Sequence, residues 1–372
     1  MIGPIIKVNV MNVKYLIILF ALILFNCSTD DDNTDQEIII STEPSSIYFP
    51  PLTNNAEWET KSIDELSWNA AALQPLIDFL DEKNTKGFII LHEGKIVVES
   101  YLNGHTESSP WYWASAGKTL TTTVTGIAQD NGLLDIDDKV SDYIGTGWTS
   151  AAPEREDLIT CKNLLSMNSG LDDSLGDSVA PENLQYIADA GTRWAYHNVY
   201  VKLQDVVSSA SNQSWSNYFD QVLKSKIGMT GTWIQNGDFS TFWSRTRSMA
   251  RYGLMIYAEG RWENEQIISQ AFLNEAINTS QDLNQAYGYM WWLNGKSTYR
   301  LPQLQLEFPG EIIPNAPETM FCALGRDDQK IYIVPDQNLV VVRMGESADD
   351  LNFALSNFDD ELWAKINALI NN

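Results

Sequence analysis

The chain has 372 residues, of which 44% are hydrophobic, and its formal net charge is −25 at pH 7. This length and apolar content suffice for one large folded domain or two modest ones. Because so acidic a surface repels phosphate groups, the composition argues against nucleic acid and anionic lipid headgroups as partners of the folded surface.

The first predicted element along the chain is a targeting segment. A basic residue precedes an apolar run from residue 15 to residue 25, which is about half as long as a membrane span and is typical of a signal sequence. The run closes shortly before Cys27 in a pattern that resembles a bacterial lipobox, in which the cysteine carries the lipid. Residues 1–27 are therefore predicted to be a lipoprotein signal segment that starts at Met1 or Met11. The alternative is an ordinary cleaved signal in which Cys27 is incidental.

The segment that follows is strongly acidic. Its acidic residues are Asp30, Asp31, Asp32, Asp35 and Glu37. A run of like charges favours a solvated chain, so residues 28–60 are predicted to be an acidic disordered tether and residues 61–372 the folded domain. Acids directly after the lipidated position also resemble surface-export signals. The expected location is therefore the periplasmic or cell-surface face of a bacterial outer membrane, reached through the lipid anchor.

Helix and strand patterns begin near residue 60. A helical pattern covers residues 67–84, and two β-rich runs surround a tight turn at Glu93-Gly94. Residues from about 115 to 280 are then predicted to be mostly helical. The remaining predicted elements are strands at residues 287–293, 329–334 and 339–344, followed by a terminal amphipathic helix marked by Leu351, Leu355, Phe358, Leu362, Ile366 and Leu369.

Strands thus occur near both ends of the folded region, with helices between them. A sheet assembled from both chain ends, with a mostly helical lobe inserted at about residues 115–280, satisfies this order without a long structureless loop. The predicted fold class is therefore α+β, with helices packed on an antiparallel sheet. The cleft between the sheet and the lobe is the expected position of a functional site.

Ser115 and Lys118 occupy the start of a predicted helix from about residue 116 to residue 131. Serine at or near the N-cap is a favoured helix cap, and Lys118 is then simply a solvated cation. The same position also directs backbone N–H groups and the positive end of the helix dipole toward the Ser115 oxygen. Lys118 lies one turn later, and burial together with the dipole would lower its pKa, as a neutral lysine base requires. Because S-x-x-K patterns are common, these two residues alone leave both interpretations open.

Two further motifs follow along the chain. Tyr196 and Asn198 form a Y-x-N pattern just before a predicted helix, and Gly325 ends a predicted strand. Together with the S-x-x-K pair, their order resembles the serine β-lactamase-related family, and is most similar to class C β-lactamases, penicillin-recognising esterases and 6-aminohexanoate-dimer hydrolases. The resemblance runs from about residue 66 to residue 345. It implies a β-lactamase/transpeptidase-like fold and a serine hydrolase that acts through an acyl-enzyme on an ester or amide.

The resemblance also implies a role for each motif residue. Ser115 is the expected nucleophile, and Lys118 is its hydrogen-bonded base partner. Tyr196 is expected to take the proton from Ser115 and pass it to the leaving group, either as a phenolate or through Lys118. Asn198 is expected to orient Lys118 and to contact the substrate.

The third motif supplies the expected oxyanion hole and also departs from the family pattern. The backbone N–H groups of Ser115 and Arg326 would form the hole, and Gly325 would leave room for the substrate against its strand. Relatives carry Lys or His two residues before this glycine, whereas Ala323 stands there in this chain. The cation that would meet a β-lactam carboxylate is therefore missing, which argues against β-lactamase activity. The Arg326 side chain is the alternative source of that cation.

Metal and cofactor chemistry has little support in the sequence. The three histidines, His92, His105 and His197, are scattered, His197 is expected to serve packing, and no Gly-rich phosphate loop occurs. Cys161 and Cys322 lack the spacing of a metal site or a redox pair, although an oxidising compartment would permit a disulfide between them. No metal or cofactor is predicted, the expected partner is a small-molecule ester or amide, and the oligomeric state is left open.

The competing prediction is a non-catalytic surface lipoprotein that keeps this fold and binds peptidoglycan peptides or another ligand. The missing cation at Ala323 favours that alternative. Retention of all four residues of the first two motifs favours the enzyme more strongly.

Overall fold

A computed structural model describes residues 47–53, 57–349 and 355–371. The predicted signal segment, with Cys27, lies outside these residues, and so do residues 28–46 of the predicted tether. Among the described helices, none combines the length and the apolar character that a membrane span requires.

The described residues just before position 61 belong to the packed structure. Trp58 is buried, and its indole Nε1 donates a hydrogen bond to Gly94 O at 2.8 Å. Tyr48 N donates to Glu93 O at 2.9 Å. Ordered contacts therefore begin on the N-terminal side of the predicted boundary at residue 61. The physical reason is that Trp58 is buried against the first β-hairpin, which outweighs the polar composition of the segment.

The helices and strands of the described residues follow one another in runs, with most helices in the middle of the domain and six strands near its C-terminal end. The strands are β1 (Thr85–His92), β2 (Lys95–Tyr101), β3 (Trp111–Tyr112), β4 (Thr232–Asn236), β5 (Phe239–Ser244), β6 (Arg261–Trp262), β7 (Glu265–Gln266), β8 (Trp292–Leu293), β9 (Thr298–Arg300), β10 (Glu307–Pro309), β11 (Phe321–Gly325), β12 (Gln329–Val334) and β13 (Leu339–Gly345). The α-helices are α1 (Leu73–Glu82), α2 (Lys118–Asp130), α3 (Val140–Ile144), α4 (Pro153–Glu156), α5 (Cys161–Leu165), α6 (Lys202–Ser211), α7 (Trp215–Phe219), α8 (Thr246–Tyr257), α9 (Gln270–Ala276) and α10 (Asn357–Ile370).

The central sheet has the strand order β2-β1-β13-β12-β11-β8, with every neighbouring pair antiparallel. Its strands come from both ends of the folded region, as predicted. The buried apolar runs of β1 and β13 are typical of strands that are covered on both faces. On β12, Ile331 faces α8 near Gly253, whereas its neighbour Tyr332 contacts Trp363 of α10. Because successive strand residues point to opposite faces, helices cover both sides of the sheet, and the α+β prediction is confirmed.

The region from 115 to 280 is less uniformly helical than predicted. It contains β4 and β5, which join β3 in a second antiparallel sheet of order β3-β5-β4. The β4–β5 turn includes Gly237 at φ 59°, a left-handed conformation that glycine adopts without a steric penalty. Asn236-Gly237 between two aromatic-rich runs is a recognised hairpin signal, so this sheet was open to prediction from the sequence.

Three smaller predictions also need correction. Helix α2 begins at Lys118 rather than near residue 116, because residues 114–117 form a 3₁₀ turn. Only Trp292–Leu293 of the predicted strand 287–293 is extended, since Met290 has a left-handed backbone at φ 60°. Helix α10 begins at Asn357, after Leu355.

The two cysteines of the described residues are separate free thiols. Cys161 lies at the start of α5 and Cys322 lies in β11, and both are buried. They do not form the disulfide that an oxidising compartment would permit.

Candidate active site

Ser115 lies in a short 3₁₀ turn, Ala114–Gly117, that connects β3 to α2. Ala114 has a left-handed backbone with φ 46°, which is uncommon for a residue with a side chain. Behind the turn, Trp113 is fully buried, and its indole Nε1 donates to Ser244 Oγ at 2.7 Å. The sequence placed Ser115 at the helix N-cap, but the N-cap residue of α2 is Gly117 and it makes no side-chain capping bond. Helix capping therefore does not account for Ser115.

Lys118 is buried at the start of α2 and contacts Ser115. Its Nζ lies 2.8 Å from Ser115 Oγ and 3.4 Å from Asn198 Oδ1. The same Nζ lies 4.8 Å from the ring centroid of Tyr196 and 4.6 Å from that of Tyr200. Only 2% of Lys118 is exposed, so it is not the solvated cation that the sequence left as an alternative.

Burial changes the protonation of Lys118. Removal of the ammonium group from water lowers the pKa of Lys118 from 10.5 to about 7, and the positive charge of Arg326 acts in the same direction. The carboxylate of Asp177 acts in the opposite direction and raises this pKa. An amine with a pKa near 7 is partly neutral at physiological pH and can therefore accept a proton.

Tyr196 is surrounded by aromatic rings. Its ring centroid lies 5.8 Å from that of Trp292 and 6.1 Å from those of Trp194 and Tyr287. Burial raises the pKa of Tyr196 to about 12, and interaction with the Ser115 side chain only partly offsets this effect. The phenol is therefore protonated at neutral pH, which favours the route through Lys118 over a phenolate base.

Asn198 begins the short 3₁₀ helix Asn198–Val201. Lys118 Nζ lies between Ser115 Oγ and Asn198 Oδ1 in a chain of hydrogen bonds. Asn198 Oδ1 accepts from Lys118, and Asn198 Nδ2 donates to the backbone oxygen of Asp177 at 3.1 Å. Asp177 was not predicted from the sequence, because it lies in an irregular loop with no motif of its own.

The absence of a side chain at Gly325 allows two backbone segments to pack closely together. A Cβ atom at Gly325 would lie 2.6 Å from Trp113 O and 2.9 Å from Ala116 N, both backbone atoms of the turn that carries Ser115. Glycine thus allows β11 to approach this turn, whereas the expectation was that it leaves room for the substrate. The approach brings the backbone at Arg326 beside the turn, where the oxyanion hole was predicted.

In the third motif, the positive charge lies on the Arg326 side chain and not at position 323. Ala323 is only 1% exposed and lies in the core, so this position presents no group to the cleft. The Arg326 side chain is 63% exposed, and its Nη2 lies 3.7 Å from Asp177 Oδ2. Burial lowers the pKa of His197 to about 4, so its imidazole is neutral near pH 7, and its predicted role in packing stays a prediction.

A cavity of about 520 Å³ opens over Ser115. Aromatic side chains of the second sheet form much of its wall, which is why the missed β4–β5 hairpin matters for the site. The lining residues are Tyr112, Ala114, Ser115, Lys118, Asp177, Asn198, Tyr200, Ile234, Gln235, Asn236, Phe239, Thr241, Trp243, Arg326 and Asp327. Within the described residues, no group of three His, Cys, Asp or Glu side chains is arranged to hold a metal ion.

Comparisons with known proteins concern the family and the fold. A sequence model of the family described as Beta-lactamase matches residues 79–358. A putative 6-aminohexanoate-dimer hydrolase from Bacillus anthracis has a similar structure, with a TM-score of 0.64 and 18% identity over 86% of this chain and 88% of that chain. A putative β-lactamase from Bacteroides dorei DSM 17855 has a TM-score of 0.65 and 16% identity over 82% and 100% of the two chains.

A third structure, described as EstCE1, a hydrolase with promiscuous acyltransferase activity, has a TM-score of 0.60 and 12% identity over 82% of this chain and 99% of its own. No curated protein matches the sequence. At such low identities the structural likeness shows a shared fold, and this fold is the β-lactamase/transpeptidase-like one that the motif order predicted.

Proposed function

Because this chain belongs to the β-lactamase family, we propose that it is a serine hydrolase that forms an acyl-enzyme at Ser115. The observation that carries the proposal is the 2.8 Å contact between Ser115 Oγ and the buried amine of Lys118. A nucleophilic hydroxyl within hydrogen-bond distance of a base with a pKa near 7 is the arrangement that acyl transfer requires.

In the proposed reaction, neutral Lys118 accepts the Ser115 proton as Oγ attacks the carbonyl carbon of the substrate. The proton then reaches the leaving group through the phenol of Tyr196 as the bond to that group breaks. Asn198 holds the lysine amine in position through its Oδ1. Water subsequently attacks the acyl carbon and gives up a proton to Lys118. As the bond between the acyl carbon and Ser115 Oγ breaks, Lys118 returns that proton to Oγ, and both residues regain their starting forms. Backbone N–H groups of Ser115 and Arg326 stabilise the oxyanion, and each such donor typically contributes about 3 kcal/mol.

The proposed substrate is a small ester or linear amide rather than a β-lactam. Removal of one partner from a desolvated charge pair commonly costs about 2–5 kcal/mol of binding, and the buried Ala323 offers no charge for a carboxylate beside the scissile bond. Two structural neighbours, described as a putative 6-aminohexanoate-dimer hydrolase and a hydrolase with promiscuous acyltransferase activity, are consistent with amide and ester chemistry. We expect aryl esters to react fastest, because their leaving groups need least protonation.

The proposed location is the periplasmic or cell-surface face of the outer membrane, with a lipid on Cys27 as the anchor. The lipobox-like pattern before Cys27 and the acidic segment after it support this proposal. The non-catalytic alternative has less support, because a purely binding protein has no need for a buried lysine amine in contact with a serine hydroxyl.

A labelling and turnover experiment tests the function. The chain without its signal segment should be labelled by a fluorophosphonate and should hydrolyse an aryl acetate, and Ser115→Ala should lose both properties. A chromogenic cephalosporin should be turned over with a much lower kcat/KM. Absence of labelling, together with no ester or amide turnover, would support the binding protein instead. Efficient cephalosporin turnover that disappears in Arg326→Ala would make Arg326 the missing cation.

A further inference from the structure

An ion pair connects the two walls of the cleft at its mouth. Arg326 follows β11 of the central sheet, and its Nη2 lies 3.7 Å from Asp177 Oδ2. Asp177 belongs to the loop that precedes the short 3₁₀ helix Pro181–Asn183 on the other wall. Both residues line the 520 Å³ cavity above Ser115, so a substrate that enters the cleft meets this pair.

The position of Asp177 is set by contacts on both sides. Asn198 Nδ2 donates to the Asp177 backbone oxygen at 3.1 Å and faces its Oδ1 at 3.5 Å. The next residue, Ser178, donates a hydrogen bond to Asp238 at the β4–β5 turn. The loop is therefore tied both to the catalytic asparagine and to the aromatic wall, and the Asp177 carboxylate is held where it reaches Arg326.

The charges around the cavity disfavour an anionic group of the substrate, because Asp177 already pairs with Arg326. The cavity's lining residues with carboxylate, ammonium or guanidinium side chains are Lys118, Asp177, Arg326 and Asp327, and its two tyrosines, Tyr112 and Tyr200, have raised pKa values and stay uncharged near neutral pH. Lys118 is partly neutral near pH 7, and Asp327 accepts a hydrogen bond from Tyr112 Oη at 2.5 Å. Arg326 is thus the permanent cation of the described lining, and Asp177 already neutralises it.

We propose that Asp177 is a specificity-determining residue that occupies Arg326 and makes the enzyme select esters or amides that carry no negative charge near the scissile bond. This inference rests on the proposed hydrolase function. A substrate carboxylate would have to displace Asp177 from Arg326 and would then lie among like charges. Uncharged groups avoid this penalty and can pack on the aromatic wall formed by Tyr112, Phe239 and Trp243.

Two matched substrate pairs test the inference. One pair places the charge in the acyl group, with 4-nitrophenyl hexanoate and the mono-4-nitrophenyl ester of adipate, which differ by a terminal methyl group against a carboxylate. The other places it in the leaving group, with 4-carbamoylphenyl acetate and 4-carboxyphenyl acetate. The measured quantity is the ratio of kcat/KM for the anionic substrate to kcat/KM for its neutral partner. Asp177→Asn keeps the backbone contact to Asn198 and removes only the charge.

In Asp177→Asn, this ratio should rise about 5- to 30-fold for at least one pair, the range expected for one partly screened charge in contact. The double variant Asp177→Asn with Arg326→Gln should lose the gain, because the freed guanidinium provides it. The control is Asp282→Asn, which removes the same charge from an exposed residue outside the cavity lining. This variant should leave the kcat/KM ratio of both substrate pairs unchanged.

Salt provides a second test that does not depend on the fold of any variant. In the wild-type enzyme, raising the ionic strength from about 10 mM to about 500 mM should increase the anionic-to-neutral ratio, because screening weakens the repulsion. If the wild type hydrolyses no neutral ester in a Ser115-dependent way, the proposed function itself fails. If it does hydrolyse the neutral esters, but neither pair responds to Asp177→Asn or to salt, the function stands and the role of Asp177 is overturned.

Discussion

Lys118 Nζ lies 2.8 Å from Ser115 Oγ, and no described carboxylate forms an ion pair with this amine. A buried ammonium without an ion-pair partner is destabilised relative to the neutral amine, because burial removes hydration that the contacts with Ser115, Asn198 and the tyrosine rings replace only in part. The protein therefore maintains, beside a serine hydroxyl, a lysine that can act as a base near neutral pH.

Ser115 and Lys118 should act as one unit. Ser115→Ala and Lys118→Ala should each lower kcat/KM for an aryl acetate by at least about a thousand-fold, and the double variant should be little worse than either single one. Steady-state kinetics on folded protein checks this, with Lys139→Ala as a surface control because Lys139 pairs with Asp157 in solvent. A Ser115→Ala enzyme with the wild-type rate would rule out the mechanism.

Activity should depend on the protonation of Lys118. Because only the neutral amine accepts a proton, kcat/KM for a neutral ester should rise with pH through an apparent pKa of about 7 and then level off. The rings that face Lys118, those of Tyr196 and Tyr200, have raised pKa values and stay uncharged in this range. A profile that is flat between about pH 5.5 and about pH 9 would contradict this assignment.

The two charges near Lys118 should move this profile in opposite directions. Asp177 stabilises the ammonium form, so Asp177→Asn should shift the rise to lower pH. Arg326 disfavours the ammonium form, so Arg326→Gln should shift the rise to higher pH. A full pH profile of kcat/KM for each variant distinguishes these effects, and shifts in the same direction for both would show that another group controls the rate.

A side chain at position 325 should impair the enzyme, whereas a side chain at Gly117, in the turn that carries Ser115, should be tolerated. Gly325→Ala would place Cβ 2.6 Å from Trp113 O, so β11 or the Ser115 turn must shift, and we expect kcat/KM to fall by about a hundred-fold or more. Gly117→Ala is the matched control, because its Cβ would meet only Trp113 Cβ at 3.6 Å, an ordinary contact. Equal activity of the two variants would show that the close approach is not needed for catalysis.

Arg343 should support the site from within the core. It is fully buried and donates to the backbone oxygens of Asp327 and Asp328 at 2.9 and 3.0 Å, directly after Arg326. Arg343→Lys leaves several buried carbonyl groups unpaired, so we expect the free energy of unfolding to fall by about 3–5 kcal/mol. Denaturant unfolding measures this, and Arg155→Lys at an exposed ion pair should change stability by less than about 1 kcal/mol.

Cys27 should determine membrane attachment. If this residue carries the lipid, Cys27→Ser should move the protein from the membrane fraction to the soluble exported fraction. Fractionation of cells that express each form checks this. Unchanged membrane partition in the variant would indicate that an uncleaved apolar segment holds the protein.

The sequence by itself determined the strands of the central sheet that come from both chain ends and four of the residues that meet at the site, Ser115, Lys118, Tyr196 and Asn198. Apolar runs and a tight turn predicted the β1–β2 hairpin and the strands β12 and β13, because these patterns reflect local backbone preference and burial on a covered sheet. The first two motifs predicted that Ser115, Lys118 and Asn198 lie together, and the structure brings Ser115 and Asn198 into contact with Lys118, although Asn198 is 80 residues from Lys118 in the chain.

Only the tertiary structure decided the environment of these residues. Burial of Lys118 depends on rings from a distant segment, the role of Gly325 depends on backbone atoms about 210 positions away, and Asp177 gains meaning only from its contact with Arg326. None of these contacts has a local pattern, because they join chain segments whose separation is closed by packing of the whole domain. Charge and proton affinity follow from that packing, so the sequence identified the proposed reacting groups, while the fold determined their burial, their protonation and the charges around them.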